Sequence, residues 1–356
     1  MPTALAERTA HDEAVARPSR HHRRRFHVER IAAPVMLAPT LIIVGIFVYV
    51  FILLSGYISV SNWGSQKIDL SLSDPLFQTY GDMVGMPSFQ ASFRNTVLFT
   101  LFFLVLAVGG GLGLAILLHR SFATRKEVRG RTVFRSLFMF PYALSFVVTG
   151  VVWRWLFNPE TGVNVLFDIF GINRVLESIG VGPVKPGWLT DPTVVGSVNG
   201  AIATVFPDAA KLQIQFGIPL ALIPVVIAAA WQLCGFAMAM YLAGLAAIPD
   251  DVVEAAAVDG ASASQTYRRV VIPMLTPVTI TNLVILGYTS LKIFDLVYVM
   301  AGVGPGFATS VLGIFVFEQT FKAGQYNLGA AASMVMLVMV SALVVPYLVR
   351  NMRNLS

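Results

Sequence analysis

The chain has 356 residues, 56% of them hydrophobic and 12% charged, with a mean hydropathy of +0.72 and a formal net charge of +6. Soluble domains carry about 25% charged residues, so this composition predicts an all-α polytopic membrane protein and excludes a soluble enzyme. Cys234 is the single cysteine, which rules out an internal disulfide, and no Cys/His cluster has metal-ligand spacing. There is no P-loop, HExxH or nucleophile elbow, so any ATP that the chain depends on must be bound by another subunit.

Residues 1–32 form a polar, basic stretch with Arg20-His-His-Arg-Arg-Arg25 at its centre. Such a cluster fits a nucleic-acid or targeting patch, and Arg24-Arg25-Phe26 faintly resembles a twin-arginine signal. The reading adopted is a disordered cytoplasmic tail that anchors the first span, with no nucleic-acid partner. The apolar run that follows is too long for a signal sequence.

The remainder, 33–356, read as one transmembrane domain, contains six apolar runs at 34–59, 95–118, 133–156, 217–245, 275–300 and 326–348. Each is near or above the roughly 20 residues that cross a bilayer. Most of the 25 basic residues fall on one side of this pattern. They lie in the tail, in the loop between the second and third runs (Arg120, Arg125, Lys126, Arg129, Arg131, Arg135), and at Arg268, Arg269, Arg350 and Arg353. The positive-inside rule then places both termini and the 246–273 loop in the cytoplasm and residues 157–215 outside.

The second run contains Gly109-Gly-Gly-Leu-Gly113, read as a small-xxx-small packing face at Gly109 and Gly113. The third carries Pro141 and ends in Trp153-Arg-Trp155, suited to the outer interface. Asn158-Pro-Glu-Thr-Gly162-Val-Asn164 opens the long outer segment, whose part from 193 to 215 is the least legible. Pro219 and Pro224 are expected to bend the fourth run. Gln232 within it needs a partner, either an interhelical hydrogen bond or a ligand, and Phe236 lies one turn on.

Between the fourth and fifth runs lies the most structured polar segment. Pro249-Asp250-Asp251 opens a helix, with the aspartates at its positive end. Val253, Ala256 and Ala257 share its apolar face. Asp259-Gly260 closes it, and a second amphipathic stretch runs from Ser262 to Val271 before Pro273. Composition alone leaves two readings even: a hairpin lying on lipid headgroups or a docking element. The spacing favours the second. Glu254-Ala255-Ala256, three residues, Gly260, nine residues, then Val270-x-Ile272-Pro273 resembles the EAA loop of binding-protein-dependent ABC importer permeases, with a MetI-like core.

That resemblance implies a helix-turn-helix that docks in a cleft of a cytoplasmic ATPase through Glu254, Ala255, Ala256, Asp259, Gly260 and Pro273. It implies two copies of that ATPase, which use ATP and Mg, while this chain itself binds no cofactor. It also implies a second permease subunit, read as a heterodimer partner, and an extracytoplasmic sugar-binding protein, all assembled in membrane lipid.

The fifth run holds Asn282, Leu286, Ser290, Lys292 and Asp295, and Lys292 and Asp295 are expected to pair. Leu286 falls near mid-bilayer with Ser290 one turn higher. Lys292-x-Phe-Asp295-x-x-Tyr298, Gly302-x-Gly304-Pro305, Trp153-Arg-Trp155-Leu-Phe157 and Trp188-Leu-Thr-Asp-Pro192 resemble sugar permeases of the maltose type, first subunit of the pair. The outer segment resembles glucose- and α-glucoside-type permeases. By that likeness the carbohydrate pathway passes Gln232, Leu233, Phe236, Leu286 and Ser290. The alternatives are an importer of a polyol phosphate or other non-sugar solute and an ion-coupled secondary transporter. The latter would need midplane acidic groups, which the spans do not supply.

Overall fold

The computed structural model describes residues 36–123, 128–180, 185–197, 199 and 213–353. The basic tail, residues 124–127 of the loop after the second run, and residues 181–184, 198 and 200–212 of the outer segment lie outside the described residues. The chain divides between Ser55 and Gly56 into two units. The first is the greater part of helix α1 (Met36–Ser59), apolar throughout and 0% buried over its most apolar stretch. The second unit spans Gly56–Ser356.

That unit is helical. α2 (Gln78–Gly85) leads into α3 (Pro87–Ala123), whose proline stands in the first turn, where its missing N–H costs nothing. At 1.5 Å per residue α3 is about 55 Å long, well beyond the hydrocarbon core. It packs most extensively on α8. α4 (Val128–Met139) runs into a tight turn, Phe140–Ala143, and α5 (Phe146–Leu156) leaves it at a 97° bend. The third run is therefore broken where a single span was expected. Pro141 cannot donate to a continuing helix, and Ser145 restarts the chain by accepting a hydrogen bond from Val148 N (3.2 Å).

Beyond α5 the chain forms two short helices, α6 (Val163–Ile169) and α7 (Ile172–Ser178). Asn164 knots this segment together. Its Nδ2 donates to Pro159 O (3.0 Å) and Pro186 O (3.2 Å), and its Oδ1 accepts from Trp188 Nε1 (2.8 Å). Two-residue strands β1 (Val194–Val195) and β2 (Ile218–Pro219) then pair antiparallel, with Val194 opposite Pro219.

α8 (Leu222–Ala246) is one unbroken helix, largely buried. The expected proline bends are absent, because Pro219 lies in β2 and Pro224 in the first turn of α8. Next come α9 (Asp250–Val258) and α10 (Ala263–Met274), then α11 (Thr276–Leu291) at a 59° bend, and α12 (Asp295–Met300). α13 (Leu312–Phe317) and α14 (Tyr326–Arg353) complete the unit. The fifth run is thus also broken, at 292–294. Among the described residues Lys292 and Asp295 form no ion pair. The helix ends between them, and the Lys292 ammonium lies 4.1 Å from the centre of the Tyr288 ring. Among the described residues four helices are long and apolar enough to cross a membrane unbroken, and up to six spans result if each bent pair counts as one.

The expected packing face at Gly109 and Gly113 is misplaced: both look into open space. The close approach is at Gly111, where an added Cβ would come within 2.5 Å of Ala237 Cβ and 2.8 Å of Met238 N. The loop between α12 and α13 is fastened to the start of α3 by polar side chains. Asn95 Nδ2 lies 3.1 Å or less from the carbonyls of Phe307, Ala308 and Ser310, and Thr96 Oγ1 accepts from Leu312 N.

Gly111→Ala should therefore destabilise the α3–α8 interface by about 1–3 kcal/mol, while Gly109→Ala should leave stability unchanged or slightly higher. Thermal melts of the purified variants in detergent check the contrast, and equal melting points would refute this packing.

Candidate functional site

Two features stand at positions singled out in the sequence. The first is the hairpin α9–α10. α9 opens after extended Pro249 with Asp250 and Asp251 in its first turn. Its end is a Schellman motif. Ala261 N–H reaches Ala256 O (3.0 Å), Gly260 N–H reaches Ala257 O (3.1 Å), and Gly260 holds φ +78°. A side chain there would meet no neighbour, so the left-handed backbone alone calls for glycine. Ser262 and Gln265 then form a reciprocal capping box that starts α10.

No residue of α9 is buried. Val252 and Ala256 are its half-covered pair, one turn apart, which corrects the expected face of Val253, Ala256 and Ala257. Glu254, Ala255 and Asp259 are exposed, and Val258 is 87% exposed. Within α10 the turn over Tyr267–Val271 widens to π-helical geometry, with Ile272 N–H bonded to Tyr267 O. The widened turn accommodates the Pro273 ring, which would otherwise clash with the preceding turn.

Two side chains that the sequence reading passed over tie this hairpin to the bundle. His119, near the end of α3, places Nδ1 2.7 Å from the Tyr267 hydroxyl, with the rings edge-on at 6.2 Å. A polar contact beside a basic loop gives no periodic signal, so only the folded chain discloses it. Gly244 of α8 meanwhile lies against Leu275 and Val278, and Tyr241 Oη donates to Thr279 Oγ1 (2.9 Å).

The second feature is a cavity of about 450 Å³ walled by α8, α11 and the bend before α5. Gln232, Leu233, Phe236 and Leu286 all line it. Ser290 does not: its hydroxyl donates to Thr100 Oγ1 (3.1 Å) and Gly287 O (2.8 Å), which makes it a buried helix-to-helix link. Gln232 Nε2 donates to Leu144 O (2.7 Å), satisfying the carbonyl exposed by the bend, so the interhelical alternative describes its amide nitrogen. Its Oε1 is buried without a hydrogen-bond partner. Tyr142, Ser145, Thr289 and Asp295 add polar atoms to the wall, and the Tyr142 and Phe236 rings lie 5.3 Å apart. Rings with scattered polar groups suit a ligand having apolar faces and polar edges.

Residues 111–354 match the family described as binding-protein-dependent transport system inner membrane component. The chain belongs to that family. It is 36% identical over 313 residues to a Pyrococcus horikoshii protein named "Probable ABC transporter permease protein", covering 88% of this chain and 92% of that one. It is 31% identical over 272 residues to the xylose/arabinose import permease protein of Haloferax volcanii, covering 76% and 73%. Among solved structures it resembles a chain of the bacterial alginate ABC transporter in complex with alginate pentasaccharide-bound periplasmic protein. That match has a TM-score of 0.64 at 20% identity and covers 89% of this chain and 94% of the other. The expected all-α permease fold is borne out. The chain is a multi-pass transport subunit, not an enzyme.

Gly260→Ala should cost about 1–2 kcal/mol of hairpin stability through its left-handed backbone, read as roughly tenfold faster amide exchange across 255–266. Unchanged exchange would remove the turn's dependence on glycine.

Proposed function

We propose that the chain is the permease subunit of an ATP-driven carbohydrate importer, forming half of the translocation pathway. The observation that carries this reading is the shared support of the two features: α8 and α11 flank the hairpin and also wall the cavity at Gln232, Leu233, Phe236 and Leu286. A displacement of the hairpin therefore reaches the cavity through two packed helices.

In this reading the hairpin faces the cytoplasm, with both termini on that side, and α9 sits in the cleft of an ATPase subunit. Glu254 supplies a polar anchor, Ala255 and Ala256 allow close approach, and Asp259-Gly260 fixes the turn. Pro273 sets the angle at which α11 leaves. Two ATPase copies, which use ATP and Mg, a second permease subunit, and a sugar-binding protein delivering from outside complete the assembly. The cavity's ring faces, and the absence of arginine or lysine among the described residues that line it, favour a sugar over a phosphorylated solute such as a polyol phosphate.

The test is ATP hydrolysis by the assembled complex in lipid, with the cognate binding protein and a panel of neutral sugars, polyol phosphates and peptides. One sugar should stimulate hydrolysis. Stimulation by a polyol phosphate alone would overturn the substrate class, and uptake by this chain alone under an ion gradient would overturn the importer. Gly260→Asp should leave the protein in the membrane while separating hydrolysis from uptake, and normal uptake in that variant would refute the hairpin's role.

A further inference from the structure

A second cavity, of about 560 Å³, opens at the end of the bundle away from the α9–α10 hairpin. Its size falls within the roughly 300–1,000 Å³ of ordinary ligand sites. Four stretches far apart in sequence converge on it: the end of α5 with Asn158, the Leu189-Thr190 turn, α12 with the Gly302-x-Gly304-Pro305 loop, and the turn carrying Glu318 and Lys322. The first three are stretches whose residue pattern stood out in the sequence and which the pathway through Gln232 leaves unused.

The polar wall of this cavity is unequal. Glu318 and Lys322 satisfy each other at 2.7 Å, and that bond raises the Lys322 ammonium above its ordinary pKa. Lys322 also sits 5.7 Å from the centres of the Tyr298 and Phe317 rings. Arg154 has no such partner: among the described residues its guanidinium forms no ion pair or hydrogen bond, although it lines the cavity and is exposed. Half-buried Tyr298 also lines the cavity with one ring face stacked on Phe294 at 5.1 Å, while Phe157 beneath it is buried. A flat ligand with C–H faces and hydroxyl edges fits this wall, and a carboxylate on it would pair with the fork of Arg154.

We infer that this cavity is a second carbohydrate subsite, at the mouth of the pathway, in which Arg154 orients a pyranose against Tyr298 and favours a uronate over its neutral counterpart. The inference rests on the carbohydrate reading above but concerns a different set of residues from those around Gln232.

The experiment is saturation-transfer difference NMR with glucose and glucuronate as probes. It uses the assembled permease–ATPase complex in nanodiscs, without binding protein. Glucuronate should bind about threefold more tightly than glucose, the scale of one partly exposed ion pair. Arg154→Gln should abolish the difference, Arg154→Lys should retain part of it, and Tyr298→Ala should weaken both sugars. Gln232→Ala should leave the preference intact. The surface position of Arg154 keeps folding out of the comparison. Equal preference in wild type and Arg154→Gln would overturn the subsite, as would no signal from either sugar. A parallel hydrolysis assay with binding protein added completes the test: lost stimulation in Arg154→Gln with unchanged sugar signals would also overturn the subsite and make the cavity a seat for a protein loop. None of these outcomes touches the importer reading, which fails separately if no sugar-loaded binding protein stimulates hydrolysis.

Discussion

In a hydrocarbon medium every backbone N–H and C=O must find a partner inside the protein, and this constraint governs where the chain can break. Spans three and five are interrupted, and each interruption frees carbonyls. Side chains from neighbouring helices and from the interrupted segment itself reach irregular backbone. Gln232 of α8 donates to Leu144 O at the bend before α5. Asn95 of α3 lies within hydrogen-bonding distance of three carbonyls in the loop after α12. Thr276 and Thr279 return their hydroxyls to Pro273 O and Leu275 O at the elbow between α10 and α11. Several polar residues of the bundle therefore support irregular backbone, and the bend before α5 that Gln232 supports is itself a wall of the cavity.

This arrangement joins the hairpin to the cavity. α10 passes into α11 through a widened turn and Pro273, with no flexible linker between them. Gly244 brings α8 against the start of α11, and Gly111 brings α3 against α8. His119 then closes the circuit from α3 back to Tyr267. In the proposed function these contacts make the hairpin and the three helices α3, α8 and α11 one mechanical unit. A push on α9 is then delivered whole to the wall that carries Gln232, Phe236 and Leu286.

Much of this was legible in the sequence because its signals are local. Six apolar runs marked the spans, and Asp259-Gly260 marked a helix end whose Schellman geometry and positive φ the structure displays. Four of the five positions expected on a pathway, Gln232, Leu233, Phe236 and Leu286, line one cavity. The misses are three-dimensional. Gly109 and Gly113 have the right spacing for a packing face, yet helix rotation presents Gly111 to α8. Ser290 and Leu286 are one turn apart, but a single turn separates a cavity wall from the contact with Thr100. Lys292 and Asp295 are three residues apart, but the helix ends between them, so the spacing rule no longer applies. Hydrophobicity likewise says nothing of where a proline will break a span.

The most direct test of the single mechanical unit is a covalent staple between α3 and the hairpin. Cysteines at positions 119 and 267, in a Cys234→Ser background, would be bridged by a short bis-maleimide in the assembled complex, with a mono-maleimide as control. Sugar uptake should survive bridging at the level of the control, because the two positions do not separate during transport. Loss of uptake on bridging, with the control active, would show that the hairpin moves against α3 and would contradict the account.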